Sequence, residues 1–313
     1  RALAKKIKLS SFHNSTLIHP DDVVFDIERM PEVFTAFRKK VERYSKVRDA
    51  IPSPTSIASV DFEGDQVPSL DDFGMELISN DERGVLPFKG GAMEAWGRLD
   101  HYFWDTECLS TYKETRNGMI GADYSSKFSP WLANGCISAR SIYQEVEKYE
   151  AEVEKNKSTY WLKFELLWRD FFRYTAMRYG NRIFHAAGIK DQPRQWKYQP
   201  KVVRKWIEGE TGDALVDANM RELKLTGFMS NRGRQNVASY LVHRLKQDWR
   251  VGAAWFESML IDYDVCNNYG NWIYAAGVGN DPRDRVFNTQ RQAHMYDKDG
   301  AYRNLWLSKQ VKM

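Results

Sequence analysis

The chain is poor in cysteine and histidine and has no long apolar run. Cys108, Cys136 and Cys266 are the three cysteines in 313 residues. Their spacing fits no metal or redox motif, so they read as reduced thiols of an intracellular protein, its compartment left open. The six histidines are scattered. With neither H-E-x-x-H nor C-x-x-C present, no metal site is expected. No stretch of about 18 apolar residues occurs, which excludes an ordinary membrane-spanning helix. A secretory pattern is lacking too, because residues 2–9 are interrupted by Lys5, Lys6 and Lys8. Walker and G-x-G-x-x-G phosphate motifs are also missing.

The net charge is only +4, unevenly distributed. Residues 181–313 hold 21 Lys+Arg against 14 Asp+Glu, and the first 180 residues are slightly acidic. The basic surplus is weak evidence for a phosphate-bearing partner, and on charge alone ordinary surface scatter is the favoured reading. Aromatic residues are abundant: 11 Trp, 16 Tyr and 16 Phe. Most belong in a core, yet such rings are also what a flavin or an unstacked base packs against.

Along the chain, residues 7–12 read as one short strand. A helix is expected from Pro31, with Val33, Phe34, Phe37 and Val41 on one face. Residues 50–88 are punctuated by Pro and Gly and read as a long connection. Helical periodicity begins near Gly90, with segments at 93–112, 138–156 and 158–179. Loop follows at 181–200, then helices at 200–208 and 213–225 and a last short helix at 302–307. No strand–helix alternation appears after residue 90, so the body is all-α.

Three stretches carry candidate chemistry. Residues 226–276 hold Asn231, Arg232 and Arg234 on the first turn of a helix that Ser230 is placed to cap. They also hold the acidic pair Asp262 and Asp264. Residues 125–129, Ser-Ser-Lys-Phe-Ser, precede Pro130 at a helix start, a phosphate cradle in form or simply a capped turn. In 158–179, Glu165, Arg169 and Phe172 share one face. A Glu165–Arg169 ion pair in so apolar a helix would be costly to bury unless it is used.

Several motifs in this order resemble the FAD-binding catalytic domain of the photolyase/cryptochrome family, in particular its DASH branch. They are YKETRNGMIGADYSSKFSPWLANGC (112–136), FELLWRDFFR (164–173), TGFMSNRGRQNVASYLV (226–242), DWR (248–250), LIDYDVCNNYGNW (260–272) and GVGNDPRDRVFN (277–288). The resemblance implies a remnant of an antenna domain plus linker over 1–88 and a helical FAD domain over 89–313. An antenna pigment of the methenyltetrahydrofolate type is expected only in the full-length protein. Tyr112 and Ser125, Ser126, Lys127, Phe128 and Ser129 would hold the phosphate region of FAD. Arg169 would pair with nearby negative charge, Arg234 with Asp262, and Asp262 and Asp264 would face the flavin ring. Asn268 would face its reactive nitrogen. Trp272, Trp249 and Trp196 would form an electron relay to the surface.

The implied activity is light-driven splitting of cyclobutane pyrimidine dimers by electron transfer from reduced FAD. Glu165 and Asn231 would hydrogen-bond the lesion, Trp168 would stack on it, and Arg116 and Arg232, with Lys197 as a further candidate, would bind flanking phosphates. Gln235, Tyr274 and Phe228 depart from duplex-acting photolyases, which carry Met, Trp and Trp there. Gln235 and Tyr274 thus join the DNA-contact set, and a preference for single-stranded DNA is expected of a monomer. The alternative is a blue-light receptor that signals through a partner and repairs little.

Overall fold

The computed structural model describes residues 9–10, 12–58, 64, 66–76, 79–191, 194–281 and 285–308. Among them no strand forms; Lys197 and Gln247 make one isolated bridge. Half of the strand expected at 7–12, residues 7, 8 and 11, lies outside the described residues, and Leu9, Ser10 and Phe12 carry none. No described helix is long and apolar enough to cross a membrane.

Helix α1 (Phe34–Tyr44) starts later than the Pro31 expectation, because Val33 stays extended as the cap residue. Val33 is therefore 44% exposed, whereas Phe34, Phe37 and Val41 are buried. The helix expected at 93–112 is divided. It comprises α2 (Ala92–Asp100), a wide π turn at His101–Asp105, a 3-10 turn at Cys108–Thr111 and α3 (Tyr112–Thr115). Glu107, in the left-handed region at φ 50, breaks the run. Next come α4 (Ser129–Ala133), with Pro130 in its first turn, and α5 (Ala139–Glu152), shorter than expected and capped by Ser138.

Helix α6 (Lys157–Tyr179) is the longest. Asn156 accepts from the Ser158 and Thr159 amides, and Thr159 Oγ1 accepts from the Asn156 amide, so the helix start is satisfied reciprocally. A 3-10 turn, Gly180–Phe184, occupies part of the stretch read as loop. Then α7 (Pro200–Glu208) and α8 (Ala214–Thr226) form as expected. Ser230 caps α9 (Asn231–Ser239), accepting from Gly233 N at 3.0 Å. A π turn at Tyr240–Arg244 leads to α10 (Trp249–Met259) and α11 (Val265–Ala275). Helix α12 (Thr289–Tyr296) was not legible, since TQRQAHMY has little apolar periodicity; Asn288 caps it. Finally α13 (Ala301–Leu307) closes the described chain.

One core surrounds α6, whose Leu162, Leu166, Phe171 and Tyr174 pack with Phe34 and Phe37 of α1 and with Phe103 and Tyr149. Asp170 also faces this core. It accepts the amides of Leu17 and Ile18, both at 2.8 Å, and so stitches the early chain to the helix. A second core joins α9, α10 and α11 through Val237, Trp249, Ala253, Phe256, Trp272 and Ile273. The glycine of the N-R-G-R run is required by packing: a Cβ on Gly233 would lie 1.9 Å from Asn219 Oδ1 of α8. A third, smaller core docks α13 on α8 with Tyr302, Trp306 and Leu215, and Tyr302 donates to Glu222 Oε2 at 2.6 Å.

Candidate cofactor and substrate cavity

Between α6 and the α9–α11 group lies a cavity of about 570 Å³. It collects residues far apart in sequence. Tyr112, Ser125, Ser126, Lys127, Phe128, Ser129, Arg169, Arg234, Asp262, Asp264 and Asn268 all line it. So do Glu165, Asn231, Trp272, Arg116, Trp168, Gln235 and Tyr274. Trp249, Trp196 and Arg232 lie outside the lining.

On α6 the spacing of Glu165, Trp168, Arg169 and Phe172 sets all four side chains on the cavity side. The Glu165–Arg169 ion pair that helical spacing allows is not formed. Glu165 instead forms its ion pair with Arg116, just beyond α3. Burial pushes the Glu165 carboxyl up, and the Arg116 guanidinium opposes that. Among the described residues Arg169 makes only a long contact to Ser15 O, 3.4 Å, and burial holds its guanidinium below the usual range. Its charge therefore faces the cavity with Asp264 nearby.

The basic and acidic groups of residues 226–276 do meet. Arg234 Nη2 donates to Asp262 Oδ2 at 2.8 Å, while its Nε donates to Met229 O. Asp262 is 8% exposed and its Oδ1 has no hydrogen-bond partner among the described residues. A buried carboxylate oxygen of this kind, lining a cavity, can accept from a ligand donor. Both oxygens of Asp264 are engaged: Oδ1 caps α11 through Asn267, and Oδ2 accepts one bond, from Arg173 at 2.7 Å. Asn268, assigned with its Nδ2 on Ala253 O at 3.0 Å, keeps its oxygen for the cavity.

The 125–129 segment is a shaped loop. Arg98, buried on α2, donates to the carbonyls of Ala122, Ser125 and Ser126 and to Asp123. Lys127 sits at φ 61, 3% exposed, with Nζ 2.9 Å from the Tyr124 ring centroid and 3.0 Å from Ser125 Oγ. Burial holds its amine well below the lysine range, so it is no free surface cation.

Toward the rim, Trp168 stacks on Phe34, with centroids 3.7 Å apart and planes at 13°, and meets the Tyr274 edge at 5.7 Å. Arg285 donates to Tyr274 Oη at 2.9 Å. Arg232 donates to Gln235 Oε1 and Asn117 Oδ1, both at 2.9 Å, and lies over the Tyr296 ring. Asn231, exposed at the start of α9, makes no side-chain hydrogen bond among the described residues.

Of the three tryptophans expected to form a relay, Trp272 lines the cavity and Trp249 and Trp196 do not. Trp272, 2% exposed, forms its wall. Gly252 of α10 lies against it: a Cβ there would be 2.2 Å from Trp272 Cη2. Trp249 begins the same helix and is fully buried. Both Trp249 and the half-buried Trp196 donate their indole N–H to Ala186 O, at 3.3 and 2.8 Å.

Sequence reading missed Arg98, Arg173, Arg285 and Phe34. Phe34 showed only as part of an apolar helix face; Arg98 and Arg173 act through partners distant in the chain, and Arg285 through Tyr274 and Asp281 in an aperiodic stretch.

The family model described as the FAD binding domain of DNA photolyase matches residues 161–313. Cryptochrome DASH of Danio rerio is 53% identical over 306 residues, covering 96% of this chain and 59% of that protein. Cryptochrome DASH of Gloeobacter violaceus is 54% identical over 303 residues, covering 96% and 61%. Among solved structures, the cryptochrome of Synechocystis sp. PCC6803 superposes with a TM-score of 0.86 at 52% identity, over 94% of this chain and 61% of that one. A bacterial class III photolyase from Agrobacterium tumefaciens gives 0.82 at 26% identity, over 97% and 64%. The chain thus spans roughly three fifths of the length of the curated relatives it matches. With these motifs, this helical architecture and relatives of this similarity, the chain belongs to the photolyase/cryptochrome family, in its DASH cryptochrome branch.

Proposed function

We propose that this chain is the flavin-bearing catalytic part of a light-driven lyase that splits cyclobutane pyrimidine dimers, preferentially in single-stranded DNA. The cofactor is FAD, the group for which the matched domain is described. The residues present fit it: Asp262 Oδ1 is an unpaired buried acceptor, Asn268 offers an oxygen, and the hydroxyls of Ser125, Ser126 and Ser129 line the same cavity. When bound, FAD supplies light absorption and one-electron transfer.

Every other role falls to the chain. Arg234 fixes the orientation of Asp262, and Arg173 that of Asp264. Arg98 holds the loop whose hydroxyls and amides take the phosphates. Trp168 and Tyr274, set edge to face, offer an aromatic wall for an unstacked dimer. Glu165 and Asn231 hydrogen-bond its pyrimidine groups and stabilise charge that develops on them. A DNA phosphate that engages Arg116 frees Glu165 for the lesion, and Arg232 is a second phosphate ligand. Gln235 and Tyr274 make the rim polar, which suits a base already unpaired. Trp272, Trp249 and Trp196 return electrons from the surface.

The observation that carries this reading is the convergence of both residue sets, for cofactor and for lesion, on one cavity. A pure photoreceptor needs the first set alone; it would bind flavin and photoreduce it without splitting dimers. Equilibrium binding tests the reading. FAD-loaded protein should prefer a thymine-dimer single strand over the undamaged strand, and Trp168→Ala and Glu165→Ala should lose that preference while keeping flavin. Equal affinity for both strands would contradict the lesion site.

A further inference from the structure

The relay has a side branch. Tyr269 of α11 packs edge to face on Trp249, with centroids 6.3 Å apart and planes at 80°. Its hydroxyl donates to Glu257 Oε2 of α10 at 2.9 Å. Glu257 is exposed, Tyr269 half-buried and Trp249 fully buried, so the three run from interior to solvent. Phe184 also packs edge to face on Tyr269, with centroids 4.6 Å apart, and restrains the ring. The same α11 carries Trp272 and Asn268 on its cavity side.

We propose that Tyr269 is a redox-active residue that re-reduces Trp249, with Glu257 as its proton acceptor. The inference rests on the reading of Trp272, Trp249 and Trp196 as an electron relay. Trp249, once it has lost one electron to photoexcited cofactor through Trp272, takes one electron from Tyr269. In the same event the phenolic O–H bond breaks and the proton passes to the Glu257 carboxylate. Trp249 returns to its neutral closed-shell form and Tyr269 becomes a neutral radical. A diffusing thiol then gives Tyr269 a hydrogen atom, and Glu257 releases its proton to water.

Chemistry favours coupling the two transfers. A phenol that loses only an electron becomes a strong acid, so an acceptor already hydrogen-bonded removes the least stable intermediate. Burial, and then Glu257, push the Tyr269 hydroxyl up to about 12, so it is protonated at neutral pH and must give up its proton with the electron. Tyr263 also faces Glu257, and Asp264 lies near Tyr263; these are the other ionisable groups of the cluster. Trp196 offers no such partner: its indole N–H is bound to a backbone carbonyl. The branch therefore ends the charge separation at a neutral radical, which a Trp196 terminus cannot do through its own hydrogen bond.

Illuminated, FAD-loaded protein with no added donor should give a tyrosyl electron-spin-resonance signal after an initial tryptophan signal. Tyr269→Phe should abolish the tyrosyl signal and leave the tryptophan signal, now longer lived. Glu257→Gln should slow formation of the tyrosyl radical several-fold, and deuterated solvent should slow it in the native protein. In cofactor-free protein carrying fluorotyrosine, Glu257→Gln should lower the pKa of the Tyr269 resonance, which tests the hydrogen bond without light. A tryptophan signal with no tyrosyl signal, or a tyrosyl signal untouched by Tyr269→Phe, would overturn the proposal while sparing the relay. Bound flavin with no light-induced tryptophan radical would overturn both.

Discussion

Replacing Glu222 by Gln should change how stability depends on pH. Glu222 is 1% exposed and the only hydrogen bond to its carboxyl among the described residues is from Tyr302. Burial pushes its carboxyl from 4.5 up to about 8, opposed by the Tyr302 bond. An acid whose pKa is raised on folding stabilises the fold fully below its unfolded value and loses that contribution as pH rises through the folded value. The window for Glu222 is therefore pH 4.5 to 8, where stability should fall with rising pH. At about 1.4 kcal/mol per unit, the loss is at most about 5 kcal/mol over that window. Gln keeps an oxygen for Tyr302 and removes the titration. Its amide brings a buried donor that costs roughly 1–3 kcal/mol if unpaired, a penalty that does not change with pH. Urea unfolding of both proteins from pH 5 to 8 should show the variant gaining on the native protein by up to about 4 kcal/mol at the alkaline end. Asp170, pushed to about 7 by burial, titrates in both proteins and cancels in the difference. A difference constant across the range would refute the placement of a protonated Glu222 under α13.

Other perturbations separate the parts of the site. Gly252→Ala should cost about 1–2 kcal/mol net in unfolding measurements, because overpacking against Trp272 outweighs the gain in helix propensity. Asp264→Ala should lose flavin, measured by absorbance per protein, because it removes the α11 cap and frees Arg173; full flavin stoichiometry would sink its assignment. Trp272→Phe should block photoreduction by an external donor yet spare dimer splitting by chemically reduced protein; unchanged photoreduction would remove the relay.

Much of this architecture was legible because it is local. The long apolar period of 158–179, the Ser230 cap and the break between the 200–208 and 213–225 helices each show themselves within a few residues. The site was legible only through motifs. Spacing alone pointed Glu165 to Arg169, one turn away, whereas the structure gives it Arg116 across 49 positions. Arg173–Asp264, Arg98 on the 122–126 carbonyls and Phe34 on Trp168 are likewise tertiary pairings that no periodicity encodes. Helix α12 was missed for a related reason: its stability comes from a cap and from docking, with only Ala293 buried. The two π turns, at His101–Asp105 and Tyr240–Arg244, also have no composition signature.

The most direct measurement is light-driven splitting of a thymine dimer in matched single-stranded and duplex oligonucleotides by reduced, FAD-loaded protein. Splitting on the single strand, with little on the duplex and none in Glu165→Ala, is the predicted result. Flavin bound and photoreduced with no splitting on either strand would contradict the account and leave the photoreceptor reading in its place.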